Sequence, residues 1–333
     1  MVLRISPSLH RIDLAGKCFV VTGGTSGSGE ATVRFLAARG ADVITSGRDL
    51  GRGNRVVQSL PKEQQAHVTL LVCDLCSMES IEVFASEVRR RWKKLDGLVN
   101  NAGGVFLPND PNGILHVGGQ PYDACFVANH VGHFHLTNLL LPLLKANGSA
   151  RIVNVSSFMH DNYAGSGAKA KRSRIVFEDI HARARKAEFG ELYGQSKLAN
   201  VLHAKELARR YDADGIHAFS LHPGWIDSRF GRNFPAALKC LLHPTVALLR
   251  LMAFKWSPIS TTDGAQTTLH CLLSDEALKH NGSYVSQVAM IGYSAGVDRG
   301  WPLTSPNPGA NDAAVAVRLW DVTVDMIAAL KSA

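Results

Sequence analysis

Cysteine is scarce: six in 333 residues, too few for a disulfide framework in a chain of this length. Cys73 and Cys76 form a C-x-x-C, but one such pair cannot supply a four-ligand zinc site, and it follows an apolar run rather than opening a helix. His130, His133, His135, His160 and His222 show no metal-ligand spacing, so no metal is expected. No signal peptide, internal repeat or low-complexity tract is visible. No uninterrupted apolar run reaches the ~20 residues of a membrane span. The apolar stretch 234–256 is broken by Lys239, His243, Pro244 and Arg250. Charged residues make up only 19% and hydrophobic residues 46%, which excludes a disordered chain and allows a large buried core.

What charge there is runs positive, with a formal net charge of +8. It gathers in Arg89–Lys94 and Lys169–Arg174. The first cluster reads as the solvated C-terminal end of a helix, where cations suit the negative end of the dipole. No nucleic-acid motif accompanies either cluster. An anionic small molecule is the alternative partner, and no nucleic acid is expected.

Apolar strand-like runs alternate with helical patterns from residue 17 onward. Strands are expected at 17–22, 43–45, 68–73, 97–99, 151–155 and 217–221. Helices are expected at 29–39, 50–60, 78–92, 123–145 and 193–211, with Pro142 as a kink. This β-α-β order with near-continuous apolar strands predicts an α/β fold: one doubly wound, Rossmann-type parallel sheet covered by helices on both faces. No second domain is evident over 1–333, and residues 1–13 read as an N-terminal extension. Gly104–Tyr122 and His160–Glu191 interrupt the pattern and read as loops or insertions near the carboxyl ends of strands, where ligands bind in such folds.

Two motifs carry chemistry. Gly23, Gly27 and Gly29 fall at the first strand-to-helix junction, within Thr22-Gly23-Gly24-Thr25-Ser26-Gly27-Ser28-Gly29. Glycines there permit positive φ and close backbone approach to phosphate, and the helix offers free N–H groups to the anion. At the end of the second strand, Gly47 stands where a ribose-binding carboxylate is usual, and Arg48 follows it. A guanidinium suits a 2′-phosphate, so the expected cofactor is NADP(H). Asp49 reads instead as a helix cap. The second motif is Tyr193-x-x-x-Lys197. Its i, i+4 spacing places a phenol and an ammonium on one helix face, where the cation is expected to lower the phenol pKa.

Thr22-Gly23-x-x-x-Gly27-x-Gly29, Asp74-Leu75, Asn100-Asn101-Ala102-Gly103, Asn129, Ser157 and Tyr193-x-x-x-Lys197 together resemble the short-chain dehydrogenase/reductase superfamily. Asn129-His130-Val131-Gly132-His133-Phe134 and Gly264-Ala265-Gln266-Thr267 resemble its retinol dehydrogenase branch. The resemblance implies catalysis by Asn129, Ser157, Tyr193 and Lys197. It implies cofactor contacts from Gly23, Thr25, Ser26, Gly27, Ser28, Gly29, Arg48, Asp74, Leu75, Asn101, Ala102, Gly103, Tyr193, Lys197, Pro223, Gly224 and Ser228. Asp74 is expected at the adenine, and Ser228 takes the place of the usual threonine near the nicotinamide amide. Ser28 stands where the family usually has isoleucine. Residues 233–256 are expected to form an apolar substrate lid, and the substrate to be a hydrophobic carbonyl/alcohol of the retinoid, steroid or lipid class. The same lid implies peripheral membrane contact. The branch often has an N-terminal membrane anchor, and none is legible here. The expected location is cytoplasmic, with a mitochondrial presequence around Arg4, His10 and Arg11 as the alternative. Dimers or tetramers through the long helices are expected in the family, although monomers occur in this branch. A non-catalytic NADP(H)-binding scaffold is the competing reading.

Overall fold

The strands are apolar on both sides because both sides of the sheet are covered. In β1 (Cys18–Thr22) Phe19 and Val21 face one core cluster and Val20 the other. The computed structural model describes residues 4–105, 113–164, 171–188, 190–226, 259–287 and 300–332. After β1 come α1 (Gly27–Ala37), β2 (Asp42–Gly47), α2 (Leu50–Gln58), β3 (Val68–Val72), α3 (Met78–Arg91) and β4 (Gly97–Asn100). A hairpin, β5 (Ile114–Val117) with β6 (Gln120–Asp123), leads to a helical stretch that ends in α4 (Gly132–Lys145). Then follow β7 (Ala150–Val155), α5 (Glu191–Tyr211), β8 (Ile216–His222), α6 (Thr261–Leu273), β9 (Tyr284–Ser286), β10 (Gly300–Leu303) and α7 (Ala313–Ser332). The expected elements therefore form within a few residues of their expected bounds.

Among the described residues the main sheet has eight strands in the order β10-β9-β8-β7-β4-β1-β2-β3. Every pairing from β3 across to β9 is parallel, and β10 adds an antiparallel edge to an otherwise parallel sheet. Strand order reverses between β1 and β4, so a crevice opens at their carboxyl ends. One face packs under α3, α4, α5 and α7 through residues such as Phe84, Phe134, Leu198 and Trp320. The other packs under α1 and α6 through Val33, Leu36, Ala265 and Leu269.

The two interruptions of the pattern carry short strands of their own. Gly104–Tyr122 contains the β5–β6 hairpin. His160–Glu191 contains a short antiparallel pair, Asn162–Ala164 with Lys171–Arg172. Two cations of the second basic cluster are ion-paired, Lys171 to Glu188 at 2.6 Å and Arg172 to Asp161. Arg89, Arg90 and Arg91 of the first cluster form the last turn of α3, as expected, and Lys93 and Lys94 follow its end. Asp49 caps α2, accepting from Arg52 N at 3.0 Å. Cys73 and Cys76 are both pushed up to about 12 by burial, which makes them inert thiols. The N-terminal segment is tied to the fold: Ile5 is buried and its N–H donates to Gln266 Oε1 at 3.1 Å. The lid segment 233–256 lies outside the described residues. Among the described residues no helix is long and apolar enough to cross a membrane.

α7 closes the layer over α4 and α5. Trp320 packs edge-on against Phe134, with centroids 4.6 Å apart, and Arg210 stacks 4.4 Å above the indole. Trp320→Ala is expected to lower unfolding free energy by about 3 kcal/mol, a loss typical of emptied aromatic core sites, read from urea denaturation.

Buried histidines give the fold an acid limit. Burial pushes His130 and His222 down to about 3 and His133 and His160 down to about 4. Each folded pKa lies below the ordinary value of 6.5, so the unfolded chain binds more protons. Their contribution to stability is full above pH ~6.5 and lost as pH falls toward ~4, by about 1.4 kcal/mol per pH unit for each such histidine. Both ring nitrogens of His222 lack a hydrogen-bond partner among the described residues. His222→Phe should flatten this acid slope in urea melts at about pH 7.5, 6 and 5; an unchanged slope counts against the assignment.

Candidate active site and cofactor crevice

The crevice is built where β1 and β4 end. Past Thr22 the chain turns at Gly23 with φ +69°, and a Cβ there would lie 2.9 Å from Ala102 Cα. A larger residue would separate the two strand ends. Gly29, in the first turn of α1, is equally confined, since its Cβ would come within 2.6 Å of Gly23 O. Ser26 precedes α1 without a side-chain cap, so the first N–H groups of the helix keep their capacity for an anion. Ser28 Oγ donates to Asn101 Oδ1 at 3.1 Å, a polar tie that isoleucine could not make.

Thr22 is the hub. Its hydroxyl accepts from Asn101 N and Ala102 N, both at 3.0 Å, and lies 2.9 Å from His133 Nε2. Asn101 Nδ2 donates to Thr22 O at 2.9 Å. Asn100 is buried beneath, donating to Thr137 Oγ1 at 3.0 Å and Asn154 Oδ1 at 2.8 Å. Asn154 in turn donates to Asn200 O at 3.2 Å, and Asn200 Nδ2 to Val155 O at 3.1 Å. Strands β1, β4 and β7 and helix α5 thus share one polar network.

The four expected catalytic residues converge. Gly103 measures the approach of two of them: a Cβ there would meet Asn129 Oδ1 at 3.0 Å and Lys197 Nζ at 3.1 Å. Asn129 lies in a π-helical turn, Val127–Val131, which re-registers the ladder ahead of α4. Its side chain exchanges two bonds with Gly104, accepting from N and donating to O at 3.0 Å each. Ser157 follows β7 and caps a short turn, accepting from Met159 N at 3.2 Å. Tyr193 and Lys197 lie one turn apart at the start of α5, both buried. The Tyr193 hydroxyl is hydrogen-bonded to Ser157. Lys197 Nζ donates to Val155 O at 3.0 Å and sits 5.6 Å from the Tyr193 ring centroid.

The expected direction of the phenol shift is reversed. Burial is the largest influence on Tyr193 and pushes it up, with the Cys125 sulfur adding to this and the Ser157 hydrogen bond opposing it. The same burial pushes Lys197 down to about 8. Within the protein alone burial keeps the phenol protonated at neutral pH.

At the far end of the crevice, Gly47 faces Thr25, whose methyl would stand 2.9 Å from a Cβ at that position. A carboxylate there would displace Thr25. Arg48 is exposed and forms no ion pair among the described residues. Asp74 is half-buried, its N–H donating to Ser80 Oγ and its Oδ1 accepting from Cys76 N, both at 3.0 Å; Leu75 is buried beside Gly132. Beyond β8 the chain passes Pro223 and turns at Gly224 with φ +88°. Ser228 lies outside the described residues.

Several residues of the site had no role assigned from the sequence. Thr22, Cys125, Ser196 and His133 surround Asn129 and the strand ends. Cys125 and His133 sit four residues before and after Asn129, a spacing that puts them on its helix face. Ser305 and Asn307 reach the Ser157 turn from far along the chain, and no local pattern marks them.

Residues 17–170 match the family model for short chain dehydrogenase. Retinol dehydrogenase 12 of Mus musculus is 33% identical over 319 residues, covering 95% of this chain and 88% of that protein. Retinol dehydrogenase 11 of Homo sapiens is 33% identical over 322 residues, covering 95% and 87%. Among solved structures, an uncharacterized protein from Mycobacterium Paratuberculosis superposes with a TM-score of 0.67 at 29% identity, covering 95% of this chain and 94% of that one. The Pseudomonas aeruginosa RhlG/NADP active-site complex has a TM-score of 0.61 at 22% identity, over 85% and 97% of the two chains, and speaks for the fold alone. With the glycine turn, the Asn100 segment and the Tyr193–Lys197 helix assembled around one crevice, the chain belongs to the short-chain dehydrogenase family, in its retinol dehydrogenase-like branch.

Proposed function

We propose that this oxidoreductase interconverts a carbonyl and an alcohol on a hydrophobic small molecule with NADP(H). The observation that carries the reading is the convergence of the Tyr193 and Ser157 hydroxyls, Lys197 Nζ and Asn129 at the carboxyl ends of β4 and β7. The dinucleotide, when bound, supplies or accepts the hydride. The fit of this chain to that group rests on three features: the glycine turn held against Ala102, the uncapped start of α1, and Gly47, where Thr25 leaves no room for a carboxylate, beside Arg48, which forms no ion pair among the described residues. Arg48 would hold the 2′-phosphate. Asp74 and Leu75 would border the adenine, and Asn101, Ala102 and Gly103 the ribose and nicotinamide side.

Ser157 orients the substrate oxygen, and Tyr193 Oη gives it a proton during reduction. Lys197, largely protonated at neutral pH, stabilises the phenolate that results. Asn129 lines the path by which the proton is replaced. The apolar residues of 233–256 would cover the substrate, which points to a retinoid, steroid or lipid aldehyde or ketone; the retinol dehydrogenases among the relatives favour the same class. An apolar lid of this kind also suits peripheral contact with a membrane surface.

Tyr193→Phe is expected to reduce turnover of a lipid aldehyde by about 10²–10⁴-fold, the usual contribution of a general acid, as read from NADPH absorbance; near-wild-type turnover in a folded variant refutes the assignment. Because burial raises the phenol pKa, oxidation should accelerate as pH rises above neutrality while reduction stays level near pH 7. Arg48→Ala should weaken NADPH by about tenfold or more and leave NADH nearly unchanged, in line with a charge-assisted contact of ~1.5–3 kcal/mol. Equal losses for both cofactors, measured by fluorescence titration, would remove the phosphate contact.

A further inference from the structure

Two buried histidines outside the catalytic set make the same pair of bonds. His133 Nδ1 lies 3.0 Å from Asn129 O, and its Nε2 lies 2.9 Å from Thr22 Oγ1. His160 Nδ1 lies 2.6 Å from Ser157 O, and its Nε2 lies 2.6 Å from Ser305 Oγ. A carbonyl oxygen can only accept, so in both rings Nδ1 carries the proton. The other side of each ring agrees. Both acceptor positions of the Thr22 hydroxyl are filled by Asn101 N and Ala102 N, so toward His133 it can only donate. Val99 O is a second acceptor within reach of that proton, at the longer distance of 3.3 Å. Ser305 Oγ accepts from Asn307 N at 3.2 Å, which leaves its own hydroxyl proton available for a bond to His160 Nε2.

We infer that His133 and His160 are positioning residues, held as the neutral Nδ1–H tautomer, that fix the backbone carbonyls of Asn129 and Ser157. Their role rests on the catalytic reading of Asn129 and Ser157 given above. The need for it follows from local geometry. The π-helical turn shifts the ladder at Asn129, and the His133 ring supplies that carbonyl with a donor from one turn later. Ser157 sits where β7 gives way to a short turn, and its carbonyl receives both the N–H of His160, at 3.0 Å, and the Nδ1–H of the same residue. Each ring then hands the restraint on. His133 links the Asn129 turn to Thr22, and so to the cofactor-facing strand ends. His160 links the Ser157 turn to the segment after β10, where Asn307 Nδ2 donates to His160 O at 2.7 Å and to Ser173 O at 2.8 Å. Neutral imidazole suits this purpose, because a protonated ring would present a donor to Thr22 and Ser305 where an acceptor is needed.

The test uses the full chain with NADPH, ¹⁵N-labelled at histidine. Two ring spin systems with protonated Nδ1 and accepting Nε2 should persist from about pH 6 to 8, outlasting free histidine near its ordinary pKa. One should vanish in His133→Asn and the other in His160→Asn. In kinetics, His133→Leu and His160→Leu should each lower kcat roughly ten- to hundredfold, the scale of an ångström misplacement, with smaller changes in KM and NADPH affinity. The Asn variants, whose Nδ2 stands in the place of Nδ1, should recover most of kcat. An Nε2–H tautomer in the wild-type protein overturns the inference, whether or not the leucine variants fold. Asn variants as impaired as the Leu variants, or Leu variants with wild-type kcat, overturn it too. Turnover that survives Tyr193→Phe would instead sink the catalytic reading and leave the tautomer assignment standing.

Discussion

One hydroxyl holds the crevice together. Thr22 ends β1 at the point where strand order reverses, and its oxygen gathers the N–H groups of Asn101 and Ala102 from the end of β4. Without that bond two backbone donors would lack a partner, a cost of about 1–3 kcal/mol each when water is excluded. With it, the glycine turn and the Asn101 segment are pinned face to face, and the turn at Gly23 can approach Ala102 as closely as a missing side chain permits. The polar network from Asn100 through Asn154 to Asn200 extends the same restraint to α5. The position of the Tyr193–Lys197 face relative to the strand ends is therefore set by hydrogen bonds inside an apolar fold.

The general architecture was legible because it depends on local patterns. Runs such as Val20-Val21 in β1 and Ile152-Val153 in β7 are apolar in both directions, which only a doubly covered sheet explains. Gly23 and Gly29 announced a tight turn, and the turn exists. The hairpin β5–β6 was hidden because its strands are short and half polar, with His116 and Gln120 breaking the alternation. The antiparallel β10 was hidden because an edge strand needs no apolar periodicity. The links from Thr323 to His130 and from Asn307 to the Ser157 turn span more than a hundred residues, and no window of sequence contains both ends.

The electrostatics of the tyrosine–lysine pair show where sequence spacing stops being informative. Four residues on a helix place both groups on one face, and they do lie together. Spacing says nothing about depth. Both groups are buried, and removal from water disfavours the charged form of each: the phenol is held protonated and the ammonium is pushed down to about 8. The lysine also donates a hydrogen bond to Val155 O, anchoring itself to the strand. The phenol is thus kept protonated, and any anionic form of the tyrosine has to be created against the apolar surroundings rather than found waiting.

The C-terminal helix has a consequence for how the molecule is assembled. Trp320 and Thr323 complete the packing of His130, Phe134 and His203, residues of the two helices that carry Asn129 and Lys197. Contacts so distant along the chain form late, since a long loop must close before they are made. The half from β1 to β4 shares this dependence, since its α1 face is completed by Ala265 and Leu269 of α6. The outer flank of the long helices is then roofed by the chain's own tail, so a second subunit approaching that flank would meet α7 before it met them.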